Sequence, residues 1–370
     1  MGGARLRVGV LFGGRSGEHE VSLASARSVL NALDRSRYEV IPIGITPVGE
    51  WLLVDGPDRL AEGKGTRIGI VPGLSGRPLV GMDPDREMGR WLQDTLDVVF
   101  PILHGTYGED GTVQGLLELL SMPYVGAGVM ASAMGMDKVA MKAAFQQAGL
   151  PVAPFQVVRI SVWRENAAAL LSALDQRFAY PIFVKPSNLG SSVGVSKATD
   201  SEGLRHAVDE AFRYDRKILI EQGVDCREVE CGVLGNDHPE ASVVGEIVPK
   251  RDWYDYRAKY EPGMSEVQIP SLLSPSLTQK IQAQAIAAYQ AIDCAGMARV
   301  DFFLERATEE PYVNEINTIP GFTATSVYPK LWEASGLSYP ALLDRLIQLA
   351  FERHDERRQF LTTYERPEGR

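Results

Sequence analysis

Two runs in the last quarter of the chain, ARVDFFL and PYVNEIN, hold the densest set of groups able to do chemistry. Only the turn-like ERATEE separates them, so they read as a β-hairpin, and in a strand residues two apart share a face. Arg299 and Asp301 then point the same way, as do Glu315 and Asn317, while Val300 and Ile316 point to the opposite, buried side. One cation and three oxygen-bearing side chains on one patch suit magnesium, which one or two carboxylates commonly hold while it bridges substrate phosphates. A solvated strand face with incidental salt bridges gives the same alternation, and the pattern alone leaves the two readings even.

A second candidate is KPSNLGSSVGVS, directly after the apolar run YPIFV. Gly190 and Gly194 free its backbone to wrap an anion with N–H groups, Ser187, Ser191 and Ser192 supply hydroxyls, and Lys185 supplies a point charge for phosphate. It is not the phosphate loop in which a Lys-Ser pair opens a helix, because here the lysine precedes the glycines; a flexible hairpin loop is the plainer alternative. Two further polar loops follow strand-like runs near the start: GGRSGEHEVS after VGVLF brings Glu18, His19 and Glu20, and HGTYGEDGTVQG after LDVVFPIL brings His104 and Glu109. Both should lie at the carboxyl edge of one sheet, where α/β folds bind ligands. Glu18 and Glu20 could equally serve only the dipole of the helix they open.

The elements that must position these groups divide the chain in three. The first third alternates short apolar runs with helical patterns over about 21–33 and 112–120, an open α/β sheet, with hairpins and loops between 47 and 94. A small α+β unit follows: a helix over about 136–149, the strand PFQVV, a helix over about 163–174, the strand YPIFVKP, a helix to about 214 and the strand KILIEQ. The remainder is β-rich, broken by a polar loop over 252–266 and a helix over about 275–293. The expected boundaries are 1–133, 134–223 and 224–370.

At 370 residues, two or three compact units are expected. Scattered basic residues and a net charge of -10 disfavour a nucleic-acid binder. Cys226, Cys231 and Cys294 have neither disulfide nor zinc spacing, which suits a reducing cytoplasm. Neither a signal-peptide core nor a run long enough for a membrane span is evident, so a cytoplasmic protein is expected. Hydride transfer is disfavoured, since GGRSG lacks the dinucleotide-binding spacing.

The segments GGRSGEHEVS, HGTYGEDGTVQG, MDK, VKPSNLGSSVGVS, LIEQ, ARVDFFL and NEINTIPGFT occur in the order found in bacterial D-alanine–D-alanine ligases, and the chain resembles that family from its first strand to about residue 349. The resemblance implies an ATP-grasp fold behind an N-terminal open α/β domain, with ATP between two β-rich lobes. It implies two Mg2+ ions, for which Mn2+ could substitute, two D-alanine substrates, no membrane partner, and a homodimer formed through the N-terminal domain. Carried over residue by residue, Lys138 and Lys185 resemble the phosphate-holding lysines, with Ser192 and Lys259 also on the nucleotide. Glu221 resembles the hinge residue near adenine and Glu228 the ribose ligand; Asp301, Glu315 and Asn317 resemble the magnesium ligands. Arg299 and the Gly321 backbone resemble the groups stabilising the reacting carbonyl. Glu18, Ser191 and Tyr260 resemble a hydrogen-bonded set above the substrates, Glu18 also meeting the first ammonium, His104 lying in the substrate site and Ser326 meeting the second carboxylate. The hinge run Gln222-Gly223-Val224 is smaller than the family's bulky pattern. Two rivals stand beside this: a relative joining D-alanine to D-lactate or D-serine, which Tyr260 disfavours for lactate, and a non-catalytic ATP-binding module, in which one of Arg299, Asp301, Glu315 or Asn317 should be missing.

Overall fold

A computed structural model describes residues 5–70, 79–81, 96–190, 193–249 and 265–361. The run LRVGVLFG forms β1 (Leu6–Gly13), which lies between parallel neighbours β2 (Tyr38–Ile45) and β6 (Val98–Ile102). A strand covered on both faces is continuously apolar, as this one is from Val8 to Gly13. The crossover helix α1 (His19–Ala32) buries Ser22, Leu23, Ser25, Ala26, Val29 and Leu30, spaced as one helical stripe. Between β2 and β6, the strands β3 (Trp51–Leu53), β4 (Thr66–Ile70) and β5 (Leu79–Gly81), with the short helix α2 (Pro57–Ala61), extend the sheet by antiparallel pairing in the order β5-β4-β3-β2-β1-β6. The hairpins expected over 47–94 are thus a sheet extension where they are described. Helix α3 (Thr112–Leu119) follows the loop after β6.

The helix expected over 136–149 is instead two, α4 (Val129–Met136) and α5 (Lys138–Gln147), because Asp137 has extended backbone and caps the second. The next unit is a four-stranded antiparallel sheet, β7 (Phe155–Arg159), β10 (Lys217–Gln222), β8 (Ile182–Pro186) and β9 (Ser196–Ala198) in spatial order. Helices α6 (Ile160–Arg177) and α7 (Ser201–Ala211) cover one face, where Ile182, Val184, Ile218 and Ile220 meet Leu174, Leu204 and Val208. Period-2 alternation therefore sends Phe183, Lys185, Leu219 and Glu221 to the other face.

The third sheet runs β13 (Ser265–Gln268), β12 (Glu240–Pro249), β11 (Cys226–Gly235), β14 (Gly296–Glu305), β15 (Pro311–Asn317), all antiparallel. Helix α8 (Pro275–Ala291) closes one face through Ile281, Ala285, Ala288 and Tyr289. Two long-range packings join the units. Met141 and Phe145 of α5 lie in the core of this third sheet, not the second. Two last helices, α9 (Val327–Ala334) and α10 (Tyr339–Arg357), return to the beginning: Leu342, Leu343 and Leu346 pack with Val8, Val10 and Phe12, and Tyr38 donates to Asp344 at 2.7 Å. Among the described residues no helix is long and apolar enough to cross a membrane.

Candidate active site

The uncovered faces of the second and third sheets and the carboxyl edge of the first enclose a cleft of about 1210 Å³. Its floor is the β14–β15 hairpin in the expected register: Arg299 pairs with Asn317 and Asp301 with Glu315, while Val300 and Ile316 are 0% and 2% exposed beneath them. The Arg299 guanidinium donates to both Asp301 oxygens at 2.7 Å, and Asn317 donates to Asp301 at 3.0 Å. Glu230, opposite Asp301 on β11, adds a second carboxylate 3.0 Å from Arg299. Burial opposes the charge on Arg299, yet Asp301, Glu230 and Glu315 outweigh it and raise its pKa well above the ordinary value. Glu230 carried no signal in the sequence beyond alternation within a strand.

On the facing wall, Glu221 is fully buried between two ammonium groups, Lys142 at 2.6 Å from one oxygen and Lys185 bonded to the other. Burial alone would raise its pKa, but the two lysines lower it, so it stays a carboxylate. For Lys142, 1% exposed, burial dominates and lowers the pKa. Lys185 also stands 5.4 Å over the Phe303 ring of β14, so the two lobes meet across this cation. Sequence reasoning missed Lys142; its spacing of four from Lys138 on one helix placed both on the same side. Glu228 lines the cleft nearby, and Gln222 turns away to exchange hydrogen bonds with Ala179.

Where the three units converge, Asp137 accepts from the N–H groups of Val139 and Ala140 at 3.0 and 3.1 Å, from Ser187 Oγ at 2.7 Å, and from the Lys217 ammonium. This ties the first turn of α5 to the base of the glycine-rich loop, and Lys138 donates to the Leu189 carbonyl within that loop at 2.6 Å. The loop comes down on Glu18. A Cβ on Gly190 would lie 2.8 Å from the Glu18 carboxylate, and one on Gly105, whose φ is +77°, would lie 2.7 Å from it. The backbone can approach so closely only because both positions are glycine. Ser191, Ser192, Lys259 and Tyr260 lie outside the described residues, so Glu18 is placed and its expected partners are not.

At the carboxyl edge of the first sheet His104 is buried, its Nδ1 3.1 Å from the Ile319 carbonyl and 3.4 Å from Glu109, its Nε2 3.0 Å from Ser25 Oγ. Burial would lower the His104 pKa, but Glu109, Glu18 and the Ile319 carbonyl raise it. Burial raises the pKa of Glu109, which also accepts from Gly105 N at 3.0 Å. Ser326, the residue before α9, bonds through Oγ to Thr323 N at 3.1 Å and Thr323 Oγ1 at 2.7 Å, beside Gly321. A helix N-terminus with orphan N–H groups is a natural seat for a carboxylate.

The donor set can be tested against a divalent cation. Asp301 and Glu315 are adjacent acceptor-bearing side chains on the cleft face with the Asn317 amide beside them, and a carboxylate offers about four lone-pair sites. Among the described residues no three of His, Cys, Asp or Glu converge into a complete cage. An ion held here therefore takes its remaining ligands from phosphate and water, which is how Mg2+ binds. The residues fit.

Comparison with known proteins agrees with this geometry. Family models described as D-ala D-ala ligase N-terminus and C-terminus match residues 7–127 and 144–348. A D-alanine–D-alanine ligase of Geobacillus thermodenitrificans is 48% identical over 98% of this chain and all of the relative. That of Thermoanaerobacter sp. is 51% identical over 95% of this chain and 98% of the relative. Among solved structures, the D-alanine-D-alanine ligase from Coxiella burnetii superposes with a TM-score of 0.84 at 40% identity over 96% of each chain. The VanG D-Ala:D-Ser ligase from Enterococcus faecalis does so with 0.82 at 33% identity, over 94% of this chain and all of that one. With both halves matched in order and nearly its whole length shared, the chain has the ATP-grasp fold and belongs to the D-alanine–D-alanine ligase family.

Proposed function

We propose that this chain joins two D-alanine molecules into D-alanyl-D-alanine for peptidoglycan synthesis, converting ATP to ADP and phosphate. The observation that carries the reading is the convergence in one cleft of two carboxylates, a buried guanidinium and cationic side chains from two facing sheets, with Glu18 and a helix N-terminus at the third side. A carboxylate is a poor electrophile until activated. The first D-alanine carboxylate attacks the γ-phosphorus, ADP leaves, and an acyl phosphate forms; the amine of the second D-alanine then attacks the acyl carbon, phosphate leaves and the amine gives up a proton.

The residues divide this work. Lys138 and Lys185 hold phosphates, Glu221 faces the adenine and Glu228 the ribose, with Ser192 and Lys259 completing the nucleotide site. Arg299 and the Gly321 N–H stabilise charge developing on the reacting carbonyl oxygen. Glu18 meets the first ammonium, His104 supports the substrate side, and Ser326 meets the second carboxylate. Asp301, Glu315 and Asn317 would hold Mg2+, which supplies charge neutralisation between the phosphates. The glycine-rich loop with Ser191 and Tyr260 shields the acyl phosphate from water. Tyr260 favours an amine over a hydroxy-acid acceptor. The units proposed are 1–133, 134–223 and 224–370, with α4, α5 and α10 packed across them. A homodimer in the cytoplasm completes the proposal, and the three unpaired cysteines suit that reducing compartment.

The acyl phosphate is tested with D-alanine carrying 18O in its carboxylate. One 18O per turnover should appear in inorganic phosphate; unlabelled phosphate would exclude the intermediate.

A further inference from the structure

We infer that Ser25 and His104 together clamp the Pro320–Gly321 peptide, making Ser25 a positioning residue for the ligation reaction; this rests on the function proposed above. Residues 318–325 connect β15 to α9 outside the β ladders, so the orientation of the Gly321 N–H depends on how its neighbours are held. Both are held from the N-terminal unit, one by the loop after β6 and one by α1. The His104 Nδ1–H donates to the Ile319 carbonyl at 3.1 Å, since a carbonyl only accepts, and fixes the peptide preceding Pro320. The Ser25 Oγ accepts from Phe322 N at 3.3 Å and fixes the peptide following Gly321.

Ser25 Oγ and His104 Nε2 are themselves bonded at 3.0 Å, closing a continuous path from Ile319 to Phe322 through two buried side chains. Pro320 contributes a fixed φ and no N–H. Beyond the clamp, Tyr339 donates to the Phe322 carbonyl at 2.6 Å, and the buried Phe322 ring meets Phe100, Tyr328 and Tyr339 at centroid distances of 6.1, 5.8 and 5.8 Å. A donor facing developing charge works only when it is aimed in advance, and here the aim is set by a serine on a helix of the other unit.

The fold supplies its own comparison. Ser22 lies one turn away on the same face of α1, equally buried, but its hydroxyl accepts from Gly13 N and donates to the Ile102 carbonyl, tying β1 to β6 and not to the loop. The test compares Ser25→Ala with Ser22→Ala in the full chain, measuring melting temperature, kcat, KM for ATP and the affinity of a tetrahedral phosphinate analogue of the dipeptide in the presence of ATP. Ser25→Ala should lose about tenfold in kcat and in phosphinate affinity with KM for ATP unchanged, short of the roughly 100-fold lost when such a donor is removed outright. Ser22→Ala should lose comparable melting temperature but keep its kcat.

Wild-type kcat in Ser25→Ala, or equal kcat losses in both variants, would overturn the clamp. If Ser25→Ala does not fold, Ser25→Cys keeps the side-chain shape and weakens the bonds to Phe322 N and His104; a severalfold fall in kcat at constant KM for ATP is expected, and an unchanged kcat overturns the clamp. Dipeptide formation by the unaltered chain is measured alongside. Its absence removes the ligase reading and the clamp with it, whereas a normal unaltered chain with normal variants removes the clamp alone.

Discussion

The ammonium of Lys142 lies 2.6 Å from a carboxylate oxygen of Glu221, with the two side chains 1% and 2% exposed. Lys185 takes the other oxygen, so a single carboxylate is shared by two cations from different elements, helix α5 and strand β8. The cluster sets two basic side chains against one carboxylate at the wall of the cleft. It also joins α5, packed on the third sheet, to the second sheet, which makes it a joint between the two lobes.

Replacing Lys142 by Met keeps an unbranched chain of similar length but removes the charge. Breaking a buried ion pair from one side typically costs about 3 kcal/mol, and Lys185 remains to neutralise Glu221, so stability should fall by no more than that. Because Lys185 is then the only cation left on Glu221 and less free to meet a phosphate, KM for ATP should rise. Urea denaturation and initial-rate kinetics check both, and unchanged values would show that the pair has no energetic role.

Asp137 supports both a helix and the loop base. Asp137→Ala should cost about 1–2 kcal/mol as a lost helix cap and should raise KM for ATP by releasing Lys138. Burial works to raise the pKa of Asp137, but Lys217, Ser187 and Ala140 N outweigh it and lower it below 3.8. Its ionised form therefore stabilises the fold above pH 3.8, and that contribution is lost as pH falls through the depressed folded value. The stability gap between wild type and Asp137→Asn should be constant near neutral pH and shrink in acid. A gap independent of pH would contradict the assignment.

Glu315→Gln deletes a charge at nearly constant volume. Melting temperature should change little, while kcat falls at least about 100-fold, roughly 2.7 kcal/mol of transition-state stabilisation. Full activity would remove Glu315 from the cation site.

Gly105→Ala combines a left-handed backbone with a side chain aimed at Glu18. The strain costs about 1–2 kcal/mol, and displacement of Glu18 should raise KM for D-alanine more than KM for ATP. Equal effects on the two would mean that Glu18 does not meet the amino acid.

Legibility in the sequence followed the range of the interactions involved. Strand alternation is local, so the shared face of Arg299, Asp301, Glu315 and Asn317 could be read directly, as could the extents of α1, α3 and α8, whereas α9 and α10 fall in a stretch read only as β-rich. The Asp137 break was visible only as a cap residue inside a helical pattern. The roles of Lys142 and Ser25 could not be read, because the spacing of Lys142 from Lys138 gives a shared helix side but no partner, and Ser25 is in sequence an ordinary serine on an amphipathic helix. Their roles arise from partners 79 and 297 positions away, Glu221 for the lysine and Phe322 for the serine. The packing of α5 onto the third sheet and α10 onto the first is likewise set by non-local burial that no window of sequence contains.

The most direct test of the central claim is ADP release by the purified chain with Mg-ATP and D-alanine alone, with products identified by mass spectrometry, then with D-serine or D-lactate added. D-alanyl-D-alanine formed from D-alanine alone, in step with ADP, is the predicted result. ADP release only when D-serine or D-lactate is present would contradict it, leaving the ATP chemistry but not the D-alanine acceptor.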